Sequence, residues 1–425
     1  MARHPVLMLL VVVVMSWHWG GAAAQVFRPP WNGTFPMGPG GGGGGSVGGG
    51  GGAAAAASVP AMFVFGDSLT DNGNNNDMTS LAKANYLPYG IDFAGGPTGR
   101  FSNGYTMVDE IENLTGINED FPNQVESKAH NNSYNGLLEM GVVTELLGLP
   151  LLPSHNDATG DAALHGVNYA SAAAGILDNT GQNFVGRSPF NQQIKNFEAT
   201  LQQISGKLGG GAAGKLAPSL ARSIFYVGMG SNDYLNNYLM PNYNTRNEYN
   251  GDQYSTLLVQ QYTKQLTRLY NLGARRFVIA GVGSMACIPN MRARNPANMC
   301  SPDVDDLIIP FNSKVKSMVN TLNVNLPRAK FIFVDTYAMI SEVLRNPWSY
   351  GFSVVDRGCC GIGRNRGMIT CLPFQRPCLN RNTYIFWDAF HPTERVNILL
   401  GKAAYSGGAD LVHPMNIQQL AAWQP

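Results

Sequence analysis

The sequence predicts one large α/β domain in which a parallel sheet lies between layers of helices, and three observations carry that expectation. Short, β-rich apolar runs bounded by Gly, Asn or Asp recur at residues 61–65, 223–227, 276–280 and 330–334. Their apolar character is continuous rather than alternating, which suits strands buried on both faces. Between them lie helical patterns, the clearest at 255–272, where Leu258, Tyr262, Leu266, Leu269 and Tyr270 fall on one face. Composition is the third observation. With 425 residues, 44% hydrophobic and 13% charged, the chain has apolar side chains for a sizeable core and is not of the disordered class.

In chain order, residues 1–24 combine Arg3 and His4, the apolar run 6–15 and small residues ending Ala22-Ala23-Ala24. This is the pattern of a secretory signal. Ser16 and His18 cut the apolar run short of the roughly 20 residues that cross a bilayer, and no later segment reaches that length. The mature product is therefore expected outside the cytosol, without a stable membrane span. Residues 25–59 are rich in Gly and Ala and read as a flexible leader, so the folded domain is expected at 60–415. Residues 112–143 interrupt an otherwise good helical pattern with polar, Asn-rich sequence. Their removal would restore one apolar face from Val108, Ile111, Leu146 and Leu147. They are read as an insertion, either an exposed loop or a segment absent from the main transcript.

All six cysteines (Cys287, Cys300, Cys359, Cys360, Cys371, Cys378) lie in the last third, and an even set in a secreted chain points to disulfides. Cys287 with Cys300 is the natural local pair, leaving Cys359 and Cys360 to reach Cys371 and Cys378 in some order. No paired C-x-x-C spacing of a zinc site occurs. Sequons at Asn32, Asn113 and Asn131 are compatible with a secreted glycoprotein. Basic and acidic side chains number 29 and 28, a net charge of +1, which leaves no electrostatic footprint for nucleic acid.

In open parallel sheets ligands collect beyond the carboxyl ends of the strands, so the residues that follow the apolar runs are the ones that could carry chemistry. The first run ends Phe65-Gly66-Asp67-Ser68-Leu69. A Ser at a Gly-containing turn into a helix has its hydroxyl at a strand end and its N–H at a helix N-terminus, both of which favour attack on a carbonyl. Ser and Asp are also ordinary helix caps. Near the carboxyl end, Asp388 and His391 stand three apart, close enough for the carboxylate to accept Nδ1–H while Nε2 faces a nucleophile. A histidine with ordinary titration serves as base and acid around neutrality. Taken alone, such a pair is equally a surface contact. After the second run, Gly230-Ser231-Asn232-Asp233 places an amide where Asn232 can donate to an oxyanion, although these residues also make plain turns. Residues 168–175, Asn-Tyr-Ala-Ser-Ala-Ala-Ala-Gly, are small enough for a ligand to approach the backbone. Tyr234, Tyr238 and Phe390 either line an acyl groove or pack in the core.

Three patterns are weighed and set aside. Residues 209–216 resemble a phosphate loop, but Leu216 replaces the Ser/Thr and no apolar run precedes them. Residues 281–286 satisfy a dinucleotide pattern, yet Cys287 and Pro289 follow where a helix would begin. Asp303, Asp305 and Asp306 are read as a solvated loop rather than a cation site, so neither metal nor cofactor is implied.

Phe65-Gly66-Asp67-Ser68-Leu69, the Asn168–Ser171 block, Gly230-x-Asn232-Asp233 and Asp388-x-x-His391-Pro392, in that order, resemble the four blocks of the SGNH hydrolases. With Gly99-Arg100-Phe101-Ser102-Asn103-Gly104, the chain is similar to the plant GDSL esterase/lipase family from about residue 60 to His413. The resemblance implies a flavodoxin-like three-layer α/β/α sandwich. It implies Ser68 as nucleophile, His391 as base and Asp388 as its orienting acid. It further implies an oxyanion hole from the Ser68 N–H, Asn232 and a backbone N–H of residues 168–175. Ala172 stands there where Gly is common, and an Ala would resist a positive φ. The expected activity is hydrolysis of carboxylic esters of small or polymeric substrates. An acyltransferase on the same residues and a non-catalytic protein that keeps the fold are the alternatives.

Overall fold

Four of the apolar runs become four strands of one sheet in the computed structural model, which describes residues 59–115, 151–208 and 212–425. β1 (Met62–Gly66), β3 (Ile224–Gly228), β4 (Arg276–Ala280) and β5 (Lys330–Val334) are buried along almost their whole length, as continuous apolar sequence requires. They pair in parallel and in register, so that Gly66, Gly228, Ala280 and Val334 end flush at one edge. Two strands of this sheet escape the sequence reading. β2 (Gly166–Asn168) is only three residues long and pairs with β1, while β8 (Val412–His413) adds an antiparallel edge to β5. Both are too short for a periodic signal.

The strand order is β2-β1-β3-β4-β5-β8. Its first five members follow the flavodoxin-like order, and the chain leaves β1 on one side for β2 and returns on the other for β3. Crevices form at such reversals because the two connections diverge there. The carboxyl ends of β1 and β3 therefore frame the place where a ligand fits.

Helices cover both faces. On one lie α2 (Phe190–Leu208), α3 (Ala212–Arg222), α4 (Gly251–Asn271) and α5 (Pro302–Asn325). On the other lie α1 (Met107–Thr115), α6 (Thr336–Arg345), α7 (Glu394–Ser406) and α8 (Ile417–Ala422). The helix expected at 255–272 starts earlier, at a capping box. Asn250 Oδ1 accepts from the Gln253 N–H at 2.9 Å and Gln253 Oε1 accepts from the Asn250 N–H at 3.0 Å. Its buried stripe holds Leu258, Tyr262, Leu266 and Leu269, whereas Tyr270 turns outward to donate to Pro327 O. Among the described residues no helix is long and apolar enough to cross a membrane.

Beside the sheet, β6 (Val354–Gly358) and β7 (Tyr384–Phe386) form a small parallel pair. Disulfides Cys359–Cys378 and Cys360–Cys371 bind the segment between them, and Cys287–Cys300 closes the local loop expected for it.

Three expectations need correction or limits. The insertion does not begin at Glu112: α1 runs on to Thr115, and the buried Glu112 carboxylate accepts from the Leu152 N–H at 3.0 Å. The rest of that segment, Asn131 included, lies outside the described residues, as do the signal, Asn32 and the leader up to residue 58. Val59, assigned to the leader, is buried in the domain. Asp303, Asp305 and Asp306 are not loop residues but open α5. Asp305 is buried there and accepts from Ser284 Oγ, the Ala286 N–H and Tyr337 OH, because the loop after β4 and the first turn of α6 bring donors to it.

Candidate active site

β1 delivers Ser68 two residues beyond its last paired residue, Gly66. The β1 end is fastened by Gln193, whose Oε1 accepts from the Gly66 N–H at 3.0 Å and whose Nε2 donates to Gly66 O at 2.8 Å. Gly is required at 66 because a Cβ there would stand 2.1 Å from Thr70 Oγ1. The expected helix after Ser68 is absent. One turn closes instead, with the Thr70 and Asp71 N–H groups donating to Asp67 O, so helix-dipole help is limited to that turn.

Asp388 and His391 sit on the loop after β7, tied back by Trp387 N–H to His391 O at 2.8 Å. The His391 Nε2 lies 2.8 Å from Ser68 Oγ, and Nδ1 lies 2.8 Å and 2.9 Å from the two Asp388 oxygens. Residues 323 positions apart thus form one hydrogen-bonded chain. Asp388 is fully buried. Burial would push its carboxyl up, but the His391 ring and the donors from His391, Tyr89 and Phe390 outweigh that and hold it below the usual carboxylate range. It therefore stays ionised, as an anion that fixes the imidazole tautomer must.

Asn232 follows β3. Its Oδ1 accepts from Asn236 Nδ2 at 2.5 Å and its Nδ2 donates to Ala174 O at 2.9 Å, which settles the amide orientation and leaves one N–H of Nδ2 for a ligand. Ser68, Asn232, Ala172, Ala173 and His391 line a single cavity of about 210 Å³. Much of its lining is apolar: Met229, Met285 and Ile288 follow β3 and β4, while Ile340 comes from α6 and Leu400 from α7. Leu69, Leu81 and Phe184 stand at the same cavity.

The Ala172 assignment does not survive. Its N–H is occupied by Asp71 Oδ2 at 2.9 Å, and the positive φ falls one residue later, at Ala173 (64°). The Ala174 N–H donates to Ser171 O, so of these three the Ala173 N–H is the one without an acceptor among the described residues. Tyr234 and Tyr238 also leave the site: both pack on Tyr254 in the core, while Phe390 lines the cavity. The 281–286 run, set aside as a nucleotide site, supplies cavity wall through Gly281, Gly283 and Ser284.

Several supporting residues were missed. Asp71 Oδ1 accepts from the Gly73 and Asn74 N–H groups, Asn74 Nδ2 donates to Asn168 O and Ala170 O, and Asn75 joins Ala82 O, Ala172 O and Ser171 Oγ. The run Asp71-Asn72-Gly73-Asn74-Asn75-Asn76 directly after the candidate nucleophile was the signal, since so many amides are seldom spent on one loop. Asp233 similarly accepts from Ile176, Leu177 and Thr180 and binds the β3 loop to residues 176–180. Burial pushes Asp67, Asp71 and Asp233 each up to about 6 despite these donors. Among the described residues no cluster of His, Cys, Asp and Glu is arranged to hold a metal.

Comparison with known proteins finds a matching family and close relatives over most of the chain. The family model described as GDSL-like Lipase/Acylhydrolase matches residues 62–404. GDSL esterase/lipase At1g71691 of Arabidopsis thaliana is 57% identical over 364 residues, covering 86% of this chain and 86% of that protein. From the same plant, GDSL esterase/lipase At1g29670 is 45% identical over 366 residues (85% and 92%), and GDSL esterase/lipase 7 is 44% identical over 368 (85% and 92%).

Proposed function

The chain belongs to the GDSL-like lipase/acylhydrolase family and is a carboxylic ester hydrolase, and we propose that it works outside the cytosol through an acyl-enzyme on Ser68. The observation that carries this reading is the unbroken path Asp388–His391–Ser68, with 2.8 Å contacts at both ends of the imidazole. His391 Nε2 takes the Ser68 proton as Oγ attacks the acyl carbon, and Asp388 steadies the imidazolium that results. The free N–H of Asn232 Nδ2, the Ser68 N–H and the Ala173 N–H are the donors for the oxyanion. His391 then protonates the leaving alcohol, and a water deprotonated by the same nitrogen releases the acid.

The largely apolar lining favours an extended hydrocarbon acyl group over a charged or sugar-like one, since burying CH₂ groups contributes about 0.8 kcal/mol each. Three disulfides and the signal-like amino-terminal sequence support an oxidising, extracellular location.

The test is covalent labelling by a fluorophosphonate, run beside hydrolysis of matched esters of short and long linear acids. Wild type should label on Ser68 and prefer the longer chain. Ser68→Ala should not label, and His391→Ala should lose about 10³-fold or more in hydrolysis. Labelling that persists in Ser68→Ala would refute the assignment, and transfer to an added alcohol that dominates hydrolysis in water would favour the acyltransferase alternative.

A further inference from the structure

We propose that Tyr89 is a positioning residue for the acid–base pair, its hydroxyl locking the plane of the Asp388 carboxylate so that the His391 ring keeps facing Ser68. The inference rests on the reading of Ser68, His391 and Asp388 as the reacting set. Tyr89 donates to Asp388 Oδ2 at 2.6 Å. The other oxygen, Oδ1, accepts from the Phe390 and His391 N–H groups, both at 2.9 Å. Those two bonds are local, inside one turn, and hold Oδ1; the single Nδ1–H of His391, which lies 2.8 Å and 2.9 Å from the two oxygens, is the group to be aimed. A carboxylate turns broadly about its last torsion, so one pinned oxygen leaves the plane free. The hydroxyl from 299 residues away pins the second.

Tyr89 is itself unable to swing away. It is completely buried, and its ring meets Trp387 (6.2 Å between centroids), Phe101 (5.8 Å) and Tyr86 (5.5 Å) edge to face. Phe101 in turn lies 5.0 Å from the His391 ring. One aromatic group thus braces both the carboxylate and the imidazole. Among the described residues, Tyr86 also stands close enough to Asp388, and Asp67 close enough to His391, for their charges to act on one another, and Lys83 lines the shared cavity.

The hydroxyl also shares the charge of Asp388. Without it the carboxylate plane is no longer fixed from across the fold, and the His391 ring is less well aimed at Ser68. Tyr89→Phe keeps the ring packing and removes this donor alone. The experiment measures the second-order rate of Ser68 labelling by a fluorophosphonate against pH, with the melting temperature recorded alongside. The expected result is a rate about 10- to 100-fold lower across the pH range, the size of a lost hydrogen bond to a charged group. In an Asp388→Asn background the same substitution should have almost no further effect, because the hydroxyl acts through that carboxylate. A Tyr89→Phe rate within twofold of wild type on an unchanged profile would overturn the inference. So would an equal loss in the Asp388→Asn background, or a loss that merely follows a lowered melting temperature. A wild-type chain that does not label overturns the reading beneath it, and the inference with it.

Discussion

Ser68 and His391 are brought to the same point by two regions built on different principles. Ser68 stands at the tip of β1, an interior strand paired on both sides, and its position is set by backbone ladders to β2 and β3 with Gln193 holding the last residue. His391 stands on a loop beyond a three-residue strand, and that loop is held by a few specific hydrogen bonds, two of them from residues that are themselves cross-linked. Cys359 N–H donates to Phe386 O and Cys360 N–H to Trp387 O, so each residue that lays down the loop is also a disulfide partner. The difference teaches that a regular element holds a group redundantly, whereas an irregular one depends on a few specific fastenings.

The same contrast extends to charge. At the strand tip burial dominates, and Asp67, Asp71 and Asp233 are pushed up. At the loop the ring and the donors dominate, and Asp388 is held down.

The largest expected effect is at the covalent fastening. Replacing Cys360 and Cys371 by Ser should cost about 2–5 kcal/mol of stability and lower kcat even where the protein remains folded, because the Trp387 backbone loses its anchor. Denaturant melts paired with initial rates would check this, and an unchanged kcat in the folded variant would break the comparison. Gln193→Ala should have a smaller effect of the opposite character. It strips partners from buried Gly66 groups, for a loss of about 1–3 kcal/mol, yet kcat at low temperature should stay near wild type because the β-ladder still holds the strand. A large fall in kcat without a fall in stability would show that the strand tip is no more redundant than the loop.

The smallest effect is on pH. A carboxyl whose folded value is raised contributes its stability in full below its unfolded value near 4 and loses it as pH rises through about 6, as for Asp67, Asp71 and Asp233. Asp388 has the reverse sign, and its contribution is lost only below the ordinary carboxylate range. Between about pH 5 and about pH 7.5 the melting temperature should therefore decline by a few degrees. A steady rise over that window would contradict the assignment of burial as the dominant influence at the strand tip.

Legibility in the sequence followed length and locality. The four central strands and the long α4 stripe were readable because continuous apolar runs and helical spacing are local signals. Ser68, Asp388, His391 and Asn232 were legible as candidates in four short blocks of the sequence, and the structure brings them together. β2 and β8 were not, being too short to carry periodicity, and the helix expected after Ser68 proved to be one turn because Asp71 and the amides beyond it bond across to residues 168–172. Ala172 failed for the same reason, its N–H being claimed by a carboxylate about a hundred positions earlier in the chain.

What the sequence determined by itself was the class of fold, the strands that make its centre and the chemical types available at their ends, since these follow from patterns spanning a few residues. Which cysteines pair, which backbone N–H remains open, and the meeting of Tyr89 with Asp388 were decided only by the tertiary structure. Such contacts join residues whose separation along the chain carries no signal, and only packing into one core sets their distance.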